Sequence, residues 1–243
     1  MVGKKWLKLV RSLHLKKYRT QHQLFFVEGE KTIDALLAAS YKPVQILAEQ
    51  EILPKYQAGE ALCISERDLA TISALKNPSG VLGIFEMPTT NTTPTDGWTL
   101  ALDDVRDPGN LGTIIRLCDW FGISHLVCSP TTVDCYNPKV LQATMGSIAR
   151  VQLSYQSLPT FLANTSRTVY GGFMEGTPMP EVPFSATGIL VMGNEANGIS
   201  PAVEAHIDHK VAIPKYGDPA AESLNVAIAS GIVLNTIRQY TTP

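Results

Sequence analysis

Several features that mark membrane, secreted or metal-binding proteins are missing from this sequence. It contains no uncharged apolar run of about 18 residues, the length that a membrane-spanning helix needs. Its opening segment, MVGKKWLKLVRSLHLKK, lacks the apolar centre of a secretory signal. The 4 cysteines form no CxxC pair, are too few for a disulfide framework and lack zinc-ligand spacing. These absences predict a cytoplasmic protein with reduced thiols, no membrane span and no metal.

Acidic residues are absent from the first 27 positions, although the whole chain has a net charge of only −2. That segment carries +7, and the rest holds the other 13 basic and all 22 acidic residues, a net charge of −9. Basic residues beside aromatic ones suit contacts with phosphate groups. The alternative is an ordinary solvated helix face. The candidate phosphate-binding residues are Lys4, Lys5, Lys8, Arg11, Lys16, Lys17 and Arg19.

The segment MPTTNTTPTDG, residues 87–97, is rich in Thr, Asn and Pro and has no apolar periodicity, which is typical of a linker. We therefore predict a small α/β domain over residues 1–88, a linker over 89–98 and a larger domain over 99–243. In the small domain, apolar patterns predict helices over 7–15, 30–39 and 69–75 and strands over 24–27, 44–48 and 81–86.

The larger domain alternates strand-like and helical patterns, which predicts a mostly parallel sheet with helices on both faces. In such sheets ligands bind beyond the carboxyl ends of the strands, so the loops after strands are the places to search for chemistry. The predicted strands are 100–105, 125–128, 151–155, 168–174, 188–193 and 209–214, and the predicted helices are 111–121, 138–149, 158–164, 200–206 and 224–240.

The first notable loop reads RDPGNLGTIIRLCDWFGI, residues 106–123. Pro108 and Gly109 predict a turn, and Asn110 is well placed to cap the helix that follows. Arg116 lies off the apolar stripe of that helix, about one and two-thirds turns beyond the predicted cap. The alternative to a functional pair is that Asn110 only caps the helix and Arg116 is a solvated helix residue.

The second loop reads GNEANGIS, residues 193–200, and its two glycines allow the backbone to approach a ligand closely. A tight turn before a helix that starts at Ser200-Pro201 explains the Gly, Asn and Ser equally well. A turn does not explain Glu195, an acid that follows a buried strand. Neither GxGxxG nor a Walker motif occurs in the chain.

The third loop precedes an apolar helix in the segment IPKYGDPAAESLNVAIASGI, residues 213–232. Glu222, Ser223 and Asn225 crowd the start of that helix, although a cap requires only one such side chain. Burial of three polar groups without partners costs several kcal/mol, which indicates a ligand at this position. The alternatives are that Ser223 is only a cap and that Glu222 only complements the helix dipole.

Together these loops resemble the three signature motifs of the SpoU (TrmH-like) family of RNA ribose 2′-O-methyltransferases in the SPOUT superfamily. The residues that carry the resemblance are PGNLGTIIRLCDWFG (108–122), LVMGNEANGIS (190–200) and IPKYGDPAAESLNVAIASGI (213–232). The segment FFVEGEKTIDALL (25–37) resembles the small substrate-binding domain that many members carry in front. Lys215 replaces a frequent Met, Ala196 replaces a frequent Gly, and the loop between Ile213 and Leu224 is slightly long.

The resemblance implies a C-terminal trefoil knot, S-adenosylmethionine as the cofactor, and a homodimer with sites near the interface. The same resemblance places Gly193, Ile213 and Leu224 at the cofactor. It places Asn110, Arg116, Glu195, Ser223 and Asn225 around the reacting ribose.

The implied reaction moves a methyl group from a sulfonium to a ribose 2′-hydroxyl, which must lose its proton. An arginine is effectively always protonated, so Arg116 is a poor candidate for the base. Our hypothesis is that Arg116 positions the target phosphate and stabilises the developing alkoxide, and that Glu195 holds it through a charge-assisted pair. A metal site at His206, Asp208 and His209 lacks further ligands.

Two rival functions belong to other classes. A non-catalytic RNA-binding protein that kept the fold would not need Asn110, Arg116, Glu195, Ser223 and Asn225, all of which are present. A nucleotide-dependent oxidoreductase would need the GxGxxG motif that the chain lacks. Within the leading hypothesis, the separate N-terminal domain favours large-subunit rRNA over tRNA as the substrate, by analogy with other members of the family.

Overall fold

The computed structural model describes residues 2–59, 61–88, 97–217 and 223–241. Within these ranges the chain forms two compact units. The first comprises residues 1–90 and 134–149, and the second comprises residues 91–133 and 150–243. The predicted domain bounds place residues 134–149 in the larger domain, whereas these residues pack with the first unit. No helix of the described ranges has the length and apolar character that crossing a membrane requires.

The elements are numbered along the chain. The helices are α1 (Lys4–Leu13), α2 (Lys16–His22), α3 (Glu30–Ala38), α4 (Glu66–Ala70), α5 (Pro108–Trp120), α6 (Pro138–Thr144), α7 (Leu158–Ala163), α8 (Pro201–Glu204) and α9 (Val226–Thr241). The strands are β1 (Leu24–Glu28), β2 (Pro43–Ala48), β3 (Leu62–Cys63), β4 (Val81–Glu86), β5 (Trp98–Leu102), β6 (His125–Cys128), β7 (Gln152–Tyr155), β8 (Val169–Phe173), β9 (Thr177–Pro178), β10 (Gly188–Met192) and β11 (His209–Ala212). Short 3-10 turns cover Leu53–Gly59, Ser147–Ala149 and Met179–Glu181.

The first unit is built on a small sheet in the order β1-β4-β2-β3. Strand β4 pairs antiparallel with both β1 and β2, and β3 pairs parallel with β2. Its core is apolar because alternate strand residues such as Phe26, Leu47 and Leu82 point toward the buried side chains Val10 and Leu13 of α1. This arrangement agrees with the predicted alternation of helices and strands.

The predicted helix over 69–75 is wrong in extent. The helix begins earlier because Ser65 is a good N-cap, and the Ser65 hydroxyl accepts a hydrogen bond from the Asp68 N–H at 3.1 Å. It ends at Ala70, and the Ala74 N–H then donates to the Glu28 carboxylate at 2.7 Å. A long-range partner for the backbone, which no local pattern reveals, therefore replaces the last predicted turn.

Helix α2 is not predicted from the sequence. One of its residues, Arg19, does not belong to the predicted basic surface. Arg19 is 2% exposed, whereas the other six basic residues of that surface are exposed. The Arg19 guanidinium donates to Asp134 Oδ2 through Nε at 3.1 Å and Nη2 at 2.5 Å, and to the Leu13 carbonyl through Nη1 at 2.8 Å. Arg19 therefore stabilises the interior of the first unit, and its guanidinium is not available to bind a phosphate group.

Replacement of Arg19 by alanine is expected to lower the free energy of unfolding by about 3–5 kcal/mol, because it leaves the Asp134 carboxylate without its charged partner inside the unit. Urea unfolding followed by circular dichroism measures the change. Lys42→Ala is the matched control, since it breaks an ion pair with Glu86 that is exposed on both sides. The control is expected to change stability by less than about 1 kcal/mol. Equal losses in the two variants would contradict the assignment.

The second unit contains the predicted parallel sheet. Its order is β7-β6-β5-β10-β8-β11-β9, and the neighbouring strands of this sheet pair parallel in the described residues. Side chains of α7 and α8 pack with alternate residues of β5, β6, β8 and β10 in one buried cluster. Helix α5 contacts α9 and β6. The α/β class, with helices around a large parallel sheet, is confirmed.

One strand and one helix end earlier than the sequence predicts. Strand β5 stops at Leu102, three residues before the predicted end, because the chain turns at Asp104, whose φ is +61°. The helix predicted over 138–149 ends at Thr144, because Met145 adopts the left-handed conformation with φ of +51°. A local apolar pattern does not register either reversal.

Candidate active site

Two of the three predicted loops are brought together by neighbouring strands. The loop after β5 leads into α5, and the loop after β10 carries Glu195, and both loops leave the carboxyl edge of the sheet. The Asn110 side-chain amide donates to Glu195 Oε1 at 2.7 Å. The two residues lie 85 positions apart in sequence, so the contact depends on the sheet order rather than on local structure.

The third loop joins this pair through Asn225, just before α9. The Asn225 Nδ2 donates to Asn110 Oδ1 at 2.9 Å, which extends the contact into a hydrogen-bonded chain of Asn225, Asn110 and Glu195. Asn225 is also the cap of α9, because its Oδ1 accepts from the backbone N–H of Ala227 at 2.9 Å and of Ile228 at 3.3 Å. We call these three residues the amide chain.

The amide chain has a single consistent direction. A carboxylate only accepts hydrogen bonds, so Asn110 presents its NH₂ group to Glu195 and its carbonyl oxygen to Asn225. Asn225 presents its NH₂ group to Asn110 because its own carbonyl oxygen is used on the α9 backbone. The capping of α9 therefore determines how both amides and the Glu195 carboxylate are oriented.

The prediction that Asn110 caps α5 is wrong. The cap is Asp107, whose Oδ1 accepts from the Asn110 backbone N–H at 2.8 Å. Pro108 occupies the first helical position, where its missing N–H carries no penalty. Because Asp107 performs the capping, the Asn110 side chain is available to bridge Glu195 and Asn225.

The loop after β10 is held as a tight turn. Backbone hydrogen bonds join Asn194 and Gly198 in both directions, at 2.9 and 3.0 Å. The Asn194 carbonyl oxygen Oδ1 accepts from the N–H of Ala196 and Asn197, and its Nδ2 donates to the Asp104 carbonyl at 2.7 Å. The turn interpretation of this loop is therefore correct, and the turn presents Glu195 as an exposed side chain.

Gly193 is required by the tightness of this turn. A Cβ atom at this position would lie 2.2 Å from the Gly198 carbonyl carbon and 2.3 Å from the Ile199 nitrogen. Both contacts are with backbone atoms, so a side-chain adjustment does not relieve them. Gly193 is itself buried, and it lies two positions before the exposed Glu195.

The other predicted site residues are near the amide chain in sequence but have fewer contacts. Arg116 is exposed on α5. In the described ranges it forms no ion pair with Glu195, whose carboxylate accepts a hydrogen bond from Asn110 instead. Ser223 and Leu224 are exposed, and Ile213 is half-buried. Glu222 lies outside the described residues.

Asp104 and Arg106, in the loop after β5, are not among the site residues that the sequence predicts. The Arg106 guanidinium binds Asp104 in a bidentate pair, with Nε 3.0 Å from Oδ1 and Nη2 2.9 Å from Oδ2. This hydrogen bond is the main reason that the pKa of Asp104 is lowered and that of Arg106 is raised. Two acids and an arginine directly after a buried strand were the available signal.

Apolar side chains lie exposed beside the polar ones at the start of α9. Leu224 is 50% exposed and Ile228 is 59% exposed. Exposed apolar groups next to oriented polar groups are typical of a binding site. A cluster of three or more His, Cys, Asp or Glu side chains suited to a metal ion is not found among the residues that the structure describes.

Comparisons with known proteins agree with this architecture. A model of the SpoU rRNA Methylase family matches residues 97–235, and a model of the MRM3-like substrate binding domain matches residues 4–83. The chain is 31% identical to the 23S rRNA (guanosine(2553)-2′-O)-methyltransferase RlmP of Bacillus subtilis, over 94% of each protein.

Two solved structures are also similar over nearly the whole chain. A putative RNA methyltransferase of the TrmH family from Porphyromonas gingivalis is 36% identical, with a TM-score of 0.91 over 98% of this chain and 99% of that one. An AdoMet-bound rRNA methyltransferase from Sinorhizobium meliloti is 30% identical, with a TM-score of 0.85 over 97% of this chain and 94% of that one.

Proposed function

The chain belongs to the SpoU rRNA methylase family, and from this premise we propose that it transfers a methyl group from S-adenosylmethionine to a ribose 2′-hydroxyl of large-subunit rRNA. The observation that carries the proposal is the amide chain, which joins residues of all three loops at the carboxyl edge of a parallel sheet. The rRNA substrate named for the Bacillus relative supports rRNA over tRNA.

The residues at this edge fit the cofactor. The backbone at Gly193 packs too closely on Gly198 and Ile199 to admit a Cβ, and Leu224 offers an exposed apolar side chain for an adenosine. We propose that Gly193, Ile213 and Leu224 hold the cofactor. When bound, the cofactor supplies a methyl group on a positively charged sulfur. The trefoil knot that the family implies for residues around this loop stays a prediction.

The amide chain is proposed to orient the ribose. Glu195 has one carboxylate oxygen engaged by Asn110, and a carboxylate has further capacity to accept a hydrogen bond from the 2′-hydroxyl. Of the five proposed ribose-site residues, Glu195 is also the one with a carboxylate, the functional group among them that serves as a general base. A guanidinium and a side-chain amide are both poor bases, which excludes Arg116, Asn110 and Asn225.

Arg116 and Ser223 complete the proposed ribose site as exposed groups, six residues after Asn110 and two residues before Asn225 in the sequence. Arg116 is proposed to position the target phosphate and to stabilise negative charge that develops on the 2′-oxygen, because a guanidinium offers several donors to such an anion. Ser223 is proposed as a further hydrogen-bonding group. Glu195 is not proposed to hold Arg116 in a charge-assisted pair, because its carboxylate accepts a hydrogen bond from Asn110 instead.

The experiment that separates this function from a non-catalytic RNA-binding protein is a calorimetric titration with S-adenosylmethionine. The proposal predicts stoichiometric binding, and a flat titration favours the non-catalytic alternative. A second assay compares unmodified large-subunit rRNA and tRNA transcripts as methyl acceptors. Transfer to tRNA alone would contradict the rRNA assignment.

The basic surface of the first unit is proposed to contact RNA. Its six members are Lys4, Lys5, Lys8, Arg11, Lys16 and Lys17, all of which are exposed. Each phosphate contact releases counterions, so binding by this surface makes RNA affinity depend on salt.

The double variant Lys4→Glu/Lys8→Glu is expected to weaken RNA binding at least about tenfold at low salt and to lower the slope of log affinity against log salt by about 2. Filter binding over a range of salt concentrations measures both quantities. Lys31→Glu/Lys76→Glu is the matched control, since these exposed lysines lie in the same unit with the same charge change. If the two double variants behave alike, net charge rather than this surface determines binding.

We also propose that the protein acts as a cytoplasmic homodimer. Exposed apolar side chains in the second unit support a subunit interface there: Trp120 is 84% exposed, Ile228 59% and Tyr240 56%. Sedimentation equilibrium is expected to give twice the mass of one chain, and the monomer mass at micromolar concentration would contradict the dimer.

A further inference from the structure

The loop after β5 carries an arginine for which the proposed ribose site has no role. Arg106 lies four residues before Asn110, and its side chain is 69% exposed. Its position is nevertheless defined, because Nε and Nη2 make the bidentate pair with the Asp104 carboxylate. A guanidinium has five N–H donors in a rigid plane, so this pair leaves donors for a second anion.

Asp104, the partner of Arg106, is itself fixed from two neighbouring loops. Its backbone N–H donates to Ser129 Oγ at 2.9 Å, in the loop after β6. Its carbonyl accepts from Asn194 Nδ2 at 2.7 Å, in the turn that carries Glu195. The positive φ of Asp104 follows from this arrangement, in which the chain reverses directly after the strand. Through Asp104, the position of Arg106 is therefore fixed relative to the turn that presents Glu195.

Arg106 is close enough to the amide chain for the charge of Glu195 to act on its guanidinium. The pKa of Arg106 is raised mainly by Asp104 and further by the charge of Glu195. The same corner of the site contains three carboxylates: Asp104 binds Arg106, while Asp107 and Glu195 both accept hydrogen bonds from Asn110. These negative charges repel an approaching phosphodiester. A cation on that corner offsets the repulsion, and Arg106 is the one that the loop orients.

Arg116 differs from Arg106 in this respect. Both side chains are exposed, but Arg116 has no hydrogen-bonded partner among the residues that the structure describes, whereas Arg106 is held by two hydrogen bonds. A guanidinium that is already oriented loses less conformational entropy when it binds an anion. The bound orientation of Arg106 is therefore largely formed before RNA arrives.

We propose that Arg106 binds a backbone phosphate next to the target ribose and thereby positions that nucleotide against the amide chain. The proposal rests on the RNA methyltransferase function above and adds a residue to it. Arg106 is a positioning residue: it holds the substrate and does not contact the reacting oxygen. Its loss is therefore expected to appear in KM for RNA rather than in kcat.

Steady-state methyl transfer to an unmodified large-subunit rRNA transcript tests this inference. Arg106→Ala is expected to raise KM for RNA about tenfold, with kcat within about twofold of wild type and unchanged affinity for S-adenosylmethionine. It is also expected to lower the salt slope of RNA binding by about 1. Arg106→Lys keeps the charge without the planar fork, so it is expected to restore the slope but only part of KM.

Arg150→Ala is the matched control. Arg150 is also an exposed arginine in a bidentate pair, with Asp119, but it precedes β7 and so lies at the amino-terminal end of the parallel strands. Its KM and salt slope are expected to match wild type. An unchanged KM in Arg106→Ala, or a fall in kcat alone, would overturn the inference while wild-type activity still supported the function.

Failure of the function itself has a different signature. If the wild-type protein transfers no methyl group to any transcript, the proposed function fails, and the binding arm still decides the role of Arg106. In that case, a lowered salt slope in Arg106→Ala but not in Arg150→Ala supports the phosphate contact. Equal slopes overturn it.

Discussion

Asn110→Ala is expected to lower the single-turnover rate of methyl transfer about 100-fold, with affinity for S-adenosylmethionine within about twofold of wild type. Asn110 is the centre of the amide chain, and its removal leaves both Glu195 Oε1 and Asn225 Nδ2 without their hydrogen-bonded partner. Glu195 is then no longer oriented for the ribose hydroxyl. Because the substitution removes orientation rather than binding of the cofactor, the loss is expected in the chemical step.

Asn110→Asp separates orientation from the mere presence of a polar group. The aspartate cannot donate a hydrogen bond to Glu195 and places a second negative charge beside it, so the rate is expected to fall at least as far as in the alanine variant. Asn164→Ala is the matched control, since this asparagine also donates through Nδ2, to the Thr160 carbonyl at 2.8 Å beyond the end of α7. Rates within twofold of wild type in both Asn110 variants would show that methyl transfer does not depend on the amide chain.

Gly193→Ala is expected to weaken S-adenosylmethionine binding at least about tenfold, because one tenfold step corresponds to about 1.4 kcal/mol and overpacking of this kind costs about 1–3 kcal/mol. The added Cβ would lie 2.2 Å from the Gly198 carbonyl carbon, so the turn must open. Opening displaces the backbone groups proposed for the cofactor and the turn that presents Glu195. Calorimetry measures the affinity, and urea unfolding measures the accompanying loss of stability.

Gly97→Ala controls for the general effect of a side chain at a glycine. Gly97 has a φ of +71° with open space around it and lies before β5, at the far edge of the sheet. Its substitution is expected to cost up to about 1 kcal/mol of stability and to leave cofactor affinity unchanged. Equal effects on affinity at the two glycines would contradict the crowding explanation for Gly193.

The strands of the larger unit were predictable because each is a short apolar run between turn residues. Strand β6 has the bounds that the sequence predicts, and β10 differs by one residue. The parallel pairing followed from the alternation with helices. The strand order, which places the loops after β5 and β10 side by side, depends on packing over the whole sheet and has no local signal.

The composition of the site was more predictable than its contacts. The polar residues of the three loops were identified from the motifs, but Asn110 and Asp107 are both good caps, three positions apart. The choice between them rests on Pro108 at the first helical position. Arg19 was misassigned because charge patterning carries no information about Asp134, which is 115 positions away. Arg106 was missed for a related reason, since the bend at Asp104 that orients it forms only with the neighbouring loops in place.

The most direct measurement of the central claim is methyl transfer by the purified wild-type protein from labelled S-adenosylmethionine to an unmodified large-subunit rRNA transcript. Nucleoside analysis of the product identifies the modified atom. The proposed function predicts label in a 2′-O-methyl nucleoside at a defined position, and its loss in Asn110→Ala. Label on a base, or no incorporation under conditions in which the protein binds the cofactor, would contradict it.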